Sequence, residues 1–161
     1  MDKGYVHIFC GEGKGKTTAA LGQAIRAASA GQSVIIIQFL KEKLSEEIRF
    51  IQRLEPEIKL FRFQKADRGF DQLTEEEKAE EAQNIRNGWN FAKKVMVTQE
   101  CDVLILDEVL ALVEQGIITE EEIKQLIASK EEEMSLILTG VHCCEFLWNY
   151  ADAVTELIQR R

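Results

Sequence analysis

A chain of 161 residues with 45% hydrophobic and 30% charged side chains is long enough for one domain with a sizeable core, and its composition is that of an ordinary globular protein. A formal net charge of −8 sets it against a phosphate backbone, so nucleic acid is not an expected partner. No apolar run approaches the roughly 20 residues of a membrane span and no signal peptide is visible, so the expectation is a cytoplasmic protein with no membrane partner.

The first element in the chain is a strand, Val6-His7-Ile8-Phe9-Cys10. The glycine-rich stretch Gly11-Glu12-Gly13-Lys14-Gly15 follows, and then a helix-compatible segment from Thr17 to Ala30. Strand, glycine loop and helix in that order is the context of a phosphate-binding loop. The pattern G-x-x-x-x-G-K-[ST] would put its first glycine at Cys10; Gly11 comes one residue late, while Gly15-Lys16-Thr17 is in register. The glycines let backbone N–H groups turn inward, and those groups together with the helix N-terminus attract an anion. Lys14 and Lys16 can reach the phosphates, and the Thr17 hydroxyl can ligate Mg²⁺, which prefers few protein oxygens and keeps much of its water. The alternative is a glycine-rich turn whose lysines are simply solvated.

The helix carries Leu21, Ala24, Ile25 and Ala28 at helical spacing and ends near Gly31. Ser33 to Leu40 is a strand whose continuous apolar run suits a sheet covered on both faces. A charged loop, Lys41 to Leu44, leads to a short helix from Ser45 to Leu54, stopped by the single proline, Pro56. Ile58 to Phe63 alternates as a strand. The stretch Gln64 to Leu73 has no strong period, and a loop of that length in a compact domain is often functional. Thr74-Glu75-Glu76-Glu77 is a capping box that starts a helix running to about Thr98, with Ala82, Ile85, Trp89, Ala92 and Met96 as its apolar stripe.

Val103-Leu104-Ile105-Leu106 is a buried strand with Asp107 and Glu108 at its C-terminal end, where open α/β sheets bind ligands. One carboxylate there can hold Mg²⁺, directly or through water, while the other completes the metal site or orients a nucleophile. A short helix spans Val109 to Glu114, closed by Gly116. A second capping box, Thr119 to Glu122, starts a helix to about Ser129. Met134 to Gly140 is a further buried strand, Glu145 to Tyr150 is helical, and Val154 to Ile158 is a last, edge strand. The fold class is α/β, a three-layer sandwich with a mostly parallel sheet in a single P-loop nucleotide-binding domain. The four cysteines, Cys10, Cys101, Cys143 and Cys144, have no C-x-x-C spacing. They are expected as small buried thiols, and His142-Cys143-Cys144 lacks an evident fourth metal ligand.

The chain resembles the corrinoid (cob(I)alamin) adenosyltransferases of the P-loop type from Val6 to Leu157. The likeness is carried by Gly11-Glu12-Gly13-Lys14-Gly15-Lys16-Thr17-Thr18-Ala19-Ala20, by Gln38-Phe39-Leu40-Lys41, and by Leu106-Asp107-Glu108. Leu138-Thr139-Gly140 and Ala151-Asp152-Ala153-Val154-Thr155-Glu156-Leu157 extend it. The family's loop also lacks the usual first glycine.

The resemblance implies a reaction in which the reduced cobalt of a corrinoid attacks C5′ of ATP and triphosphate leaves. It implies ATP held by Gly11, Glu12, Gly13, Lys14, Gly15, Lys16, Thr17 and Thr18, with Mg²⁺ on Thr17 and Glu108 and with Asp107 beside it. Lys16, Glu108 and Asp107 are then the catalytic set, Arg26 a position near the nucleoside, and Phe70 a contact for the corrinoid. A homodimer and a flavoprotein reductant for the cobalt are implied as well.

The chain departs from the family at Val141, where an arginine is usual, and at Gln72, which ends Gly69-Phe70-Asp71-Gln72 where a tryptophan is usual. The family's N-terminal arm and basic C-terminal tail have no counterpart between Met1 and Arg161. Two other readings stand beside this one: an ATP-binding protein or ATPase without corrinoid activity, and a kinase with Asp107 or Glu108 as base.

Overall fold

The computed structural model describes residues 3–12, 15–40, 46–63 and 69–161. Gly13, Lys14, the loop expected at Lys41 to Leu44, and 64–68 of the long mid-chain loop lie outside the described residues.

Six strands form one sheet: β1 (Val6–Cys10), β2 (Val34–Gln38), β3 (Ile58–Arg62), β4 (Val103–Asp107), β5 (Ser135–Gly140) and β6 (Ala153–Glu156). Their order is β3-β2-β4-β5-β1-β6, and every neighbouring pair is parallel. The expected edge strand is β6, shorter than its sequence suggests. The helices are α1 (Lys16–Ser29), α2 (Glu46–Ile51), α3 (Glu75–Thr98), α4 (Leu110–Glu114) and α5 (Glu120–Ala128).

Strand periodicity of two divides the core into two layers. Ile35, Ile37, Leu104, Leu106, Leu136 and Leu138 face one side, against Ile85, Trp89, Ala92 and Met96 of α3 and Ile123 and Leu126 of α5. Val34, Ile36, Val103, Ile105 and Ile137 face the other, against Ala20, Leu21, Ala24 and Ala27 of α1. Each fully buried leucine or isoleucine contributes about 1.5–3 kcal/mol by leaving water. The alanines on α1 let that helix lie close to the sheet, which places its first turn over the strand ends. Of the expected stripe on α1, Leu21 and Ala24 are buried and Ala28 packs partly buried against the same cluster; Ile25 is 52% exposed, and Ala27 is covered instead.

Both capping boxes form. The Thr74 hydroxyl accepts from the Glu77 N–H at 3.2 Å and the Glu77 carboxylate from the Thr74 N–H at 3.2 Å; Thr119 and Glu122 do the same at 3.1 Å each. Glu145–Tyr150 is a 3-10 helix rather than an α-helix, ending where the chain turns into β6.

The cysteines correct the sequence expectation. Cys10 and Cys143 form a disulfide, and only Cys101 and Cys144 are free. The pairing is a product of the sheet: β1 and β5 set Cys10 beside Gly140, and the chain after β5 turns back to bring the Cys143 Cα within 4.9 Å. No described helix is long and apolar enough to cross a membrane.

Candidate active site

Parallel pairing gathers the C-terminal ends of the strands on one edge: Cys10 beside Gly140 and Glu156, and Gln38 beside Asp107. The glycine loop leaves β1 at that edge. Gly11 has φ 114°, and a Cβ there would come within 2.5 Å of the Leu157 carbonyl oxygen. Gly15 caps α1 with φ 108° and no side-chain cap, and no acidic residue stands in the first turn. A helix start that a glycine caps, with no acidic side chain in its first turn, favours an anion over a cation. Lys16 is buried there, at 9% exposure.

Asp107 is the hub of the site. It is 1% exposed. The Thr17 hydroxyl donates to both of its oxygens at 3.1 Å, the Thr139 hydroxyl to Oδ1 at 2.7 Å, and the Gln38 amide to Oδ2 at 3.0 Å. Three donors thus engage both carboxylate oxygens, the single Thr17 proton being shared between them. Enclosed and engaged in this way, Asp107 is poorly placed to take a proton from a substrate. It is well placed to orient Thr17, whose proton points to Asp107 and whose lone pairs face outward.

Glu108, half-buried, follows with φ 63°. A non-glycine residue in this left-handed region costs about 1–2 kcal/mol. Its N–H is held by the Thr139 hydroxyl at 2.8 Å, so Thr139 accepts from Glu108 while donating to Asp107. The turn directs the chain away from β4 at the sheet edge where Thr17 lies.

These oxygens suit a hard divalent cation. A buried polar atom points the same way: Gln38 Oε1 has no hydrogen-bond partner among the described residues. His142, Cys143 and Cys144 do not make a metal site, since no group of three His, Cys, Asp or Glu suited to a metal occurs among the described residues. His142 instead meets Glu114, Nε2 to Oε2 at 2.9 Å. Burial, with Glu114 and Glu120 adding to it, pushes the Cys144 thiol up to about 11, so it is no thiolate nucleophile near neutral pH.

Beside the loop lies a cavity of about 650 Å³, lined by Gly11, Glu12, Val141, His142, Glu156 and Leu157 among others. Glu12 and Thr18 are exposed at the loop. Arg26 and Phe70 make none of the hydrogen bonds to Asp107. Arg26 is in the last turn of α1, ten residues or about 15 Å along the helix from Lys16, by a second cavity with Tyr5 and His7. Phe70 is in a 3-10 turn before α3, with the Lys78 ammonium 6.0 Å from its ring centroid. Gln38 and Thr139 stand in stretches that carry the family resemblance, but sequence reasoning gave neither a role in the site. Their signal was a polar residue at the C-terminal end of a buried strand, Gln38 after Ile37 and Thr139 after Leu138.

A model of the family described as ATP:corrinoid adenosyltransferase BtuR/CobO/CobP matches residues 2–161. The chain belongs to this family. It is 33% identical over 156 residues to the corrinoid adenosyltransferase of Escherichia coli K12, covering 97% of this chain and 77% of that one. It is 31% identical to the corrinoid adenosyltransferase CobA of Salmonella typhimurium LT2 over 156 residues, with the same coverage. A corrinoid adenosyltransferase of Pseudomonas aeruginosa is 24% identical over 157 residues, covering 97% of this chain and 75% of that one. Among solved structures, a KaiC-like protein of Pyrococcus horikoshii OT3 superposes with a TM-score of 0.61 at 19% identity, covering all of this chain and 76% of that one. That likeness is one of fold. For this adenosyltransferase-family chain, Asp107, Thr17, Gln38 and Thr139 form one hydrogen-bonded unit at the mouth of the sheet.

Proposed function

We propose that this chain transfers the 5′-deoxyadenosyl group of ATP to cobalt(I) of cobalamin or another corrinoid. The single observation that carries the reading, beside family membership, is the meeting of the glycine-loop residue Thr17 with the carboxylate strand at Asp107. The triphosphate would be held by Gly11, Glu12, Gly13, Lys14, Gly15, Lys16, Thr17 and Thr18 at the N-terminus of α1. Thr17 and Glu108 would hold Mg²⁺, with Asp107 fixing the Thr17 hydroxyl. When bound, the ion offsets charge on the triphosphate.

In the transfer a Co–C5′ bond forms and the C5′–O bond breaks. Both electrons of the new bond come from the cobalt, and the leaving triphosphate keeps the pair of the old one. Cobalt(I) is itself the nucleophile, so no protein base is required. That suits a site whose central carboxylate is enclosed. Lys16 and the first-turn amides stabilise the charge that grows on the leaving oxygen. Beyond this, the protein contributes orientation of two bound substrates. The reading extends to a cytoplasmic homodimer with a flavoprotein supplying the electrons.

The test is anaerobic incubation with ATP, Mg²⁺ and chemically reduced cobalamin. The expected products are adenosylcobalamin, seen by its light-sensitive spectrum, and triphosphate. Release of ADP and phosphate instead would reject the proposal.

A further inference from the structure

Gln38 ends β2 beside Asp107 and is 2% exposed. Its amide orientation is decided by chemistry, because an ionised carboxylate only accepts and the NH₂ group must therefore face Asp107 Oδ2. This fixes Oε1 on the other side, buried and without a partner among the described residues. A buried amide oxygen left unpaired is costly, and native proteins seldom keep one.

The neighbouring hydroxyls cannot serve it. Thr17 and Thr139 both donate their single protons to Asp107. The backbone N–H of Glu108 is taken by Thr139. The missing donor therefore arrives with a ligand. Mg²⁺ bound through one or two protein oxygens keeps several waters, and each such water is a strong donor.

We propose that Gln38 is a positioning residue for the hydrated divalent cation: its NH₂ holds Asp107, which aims Thr17, and its Oε1 accepts a hydrogen bond from a cation-bound water. The inference rests on Thr17 and Glu108 as the cation's ligands. Gln38 touches neither the ion nor the nucleotide. It is an outer support of the kind whose loss weakens metal affinity about 10- to 100-fold.

The probe is Mn²⁺, titrated by electron paramagnetic resonance against the protein with ATP present, while ATP affinity is measured separately in EDTA. Gln38→Met keeps the length of the side chain and removes both polar atoms. Gln38→Asn keeps the amide but is one methylene too short to span both partners, and serves if the methionine variant does not fold. Either variant is expected to bind Mn²⁺ at least about tenfold more weakly. Its ATP affinity in EDTA should stay within about twofold of wild type. Unchanged Mn²⁺ affinity in a folded variant overturns the proposal, and so does an equal loss of metal-free ATP binding, which would mean a general structural role. Wild-type protein that binds ATP identically with and without Mn²⁺ would instead sink the underlying assignment of Thr17 and Glu108.

Discussion

The Thr17 hydroxyl donates to both carboxylate oxygens of Asp107, at 3.1 Å each, across 90 residues of chain. The contact joins the start of α1 to the end of β4 and commits the threonine proton. What remains on the outer side of Thr17 is an oxygen able only to accept or to ligate. Thr17→Val keeps the branched shape and removes that oxygen. Adenosylation should fall about 10- to 100-fold and the Mg²⁺ requirement should shift to higher concentration. Losing one donor to a buried carboxylate should cost about 1–2 kcal/mol of stability, read by urea unfolding. Thr17→Ser should recover most of both; a valine variant with an unchanged Mg²⁺ titration would count against the ligand role.

Lys16 is the first residue of α1 and is buried at the loop. A point charge placed against a leaving triphosphate acts in the transition state more than in the ground state. Lys16→Ala is expected to lower kcat/KM by about 10²–10³-fold, of the order seen when one preorganised charge-stabilising donor is removed. The circular dichroism spectrum should be that of the wild type. Full activity in that variant would show that the loop is not the site.

Glu108 combines a left-handed backbone with a proposed metal-ligating side chain. The two roles separate by substitution. Glu108→Gln leaves the backbone as it is and should weaken the Mg²⁺ dependence. Glu108→Gly should weaken it too, while relieving about 1 kcal/mol of backbone strain, and its melting temperature reads that relief against the loss of the side chain's own contacts. A glycine variant that melts lower than wild type would show that the Glu108 side chain stabilises the fold by more than its conformation costs.

The long helix α3 was readable from the chain because its signals are local: the Thr74–Glu77 box opens it, and Ile85, Trp89, Ala92 and Met96 mark one face. The order of strand, glycine loop and helix at β1 and α1 was readable for the same reason. The partners of Asp107 were not. Gln38 and Thr139 reach it only because β2 and β5 flank β4, and strand order is a property of the whole sheet. On α1 the expectation failed only at Ile25, because Ile25 and Ala27 both fit a helical period and only the position of the helix over the sheet decides which is covered.

The Cys10–Cys143 bond spans 133 residues, so no spacing rule in the sequence could point to it. Cysteine chemistry gives a direct count. Protein unfolded without reductant should show two reactive thiols, Cys101 and Cys144, and four after reduction. Reduction should lower stability by about 2–4 kcal/mol, as expected for removing a crosslink that closes a long loop. Four thiols before reduction would show that the pair is open in solution.

Arg86 on α3 grips Glu122 on α5 through two contacts, NH1 to Oε1 at 3.2 Å and NH2 to Oε2 at 2.6 Å, and donates to the Ile117 carbonyl at 2.9 Å. The guanidinium hydrogen bond holds the Glu122 carboxyl below its ordinary 4.5, with the Thr119 N–H helping. A carboxyl depressed in the folded state adds stability that is present above its unfolded value and is lost as pH falls through the folded one. The pair is partly exposed, 37% at Arg86 and 26% at Glu122, so solvent screening holds its contribution to about 1 kcal/mol. Arg86→Met should therefore be less stable than wild type by about that amount at pH 7. The gap should narrow in acid below 4.5 without closing, because the lost bond to Ile117 does not titrate. Urea unfolding of both proteins at neutral and acid pH measures it; a gap that widened in acid would mean that Arg86 does not act through Glu122.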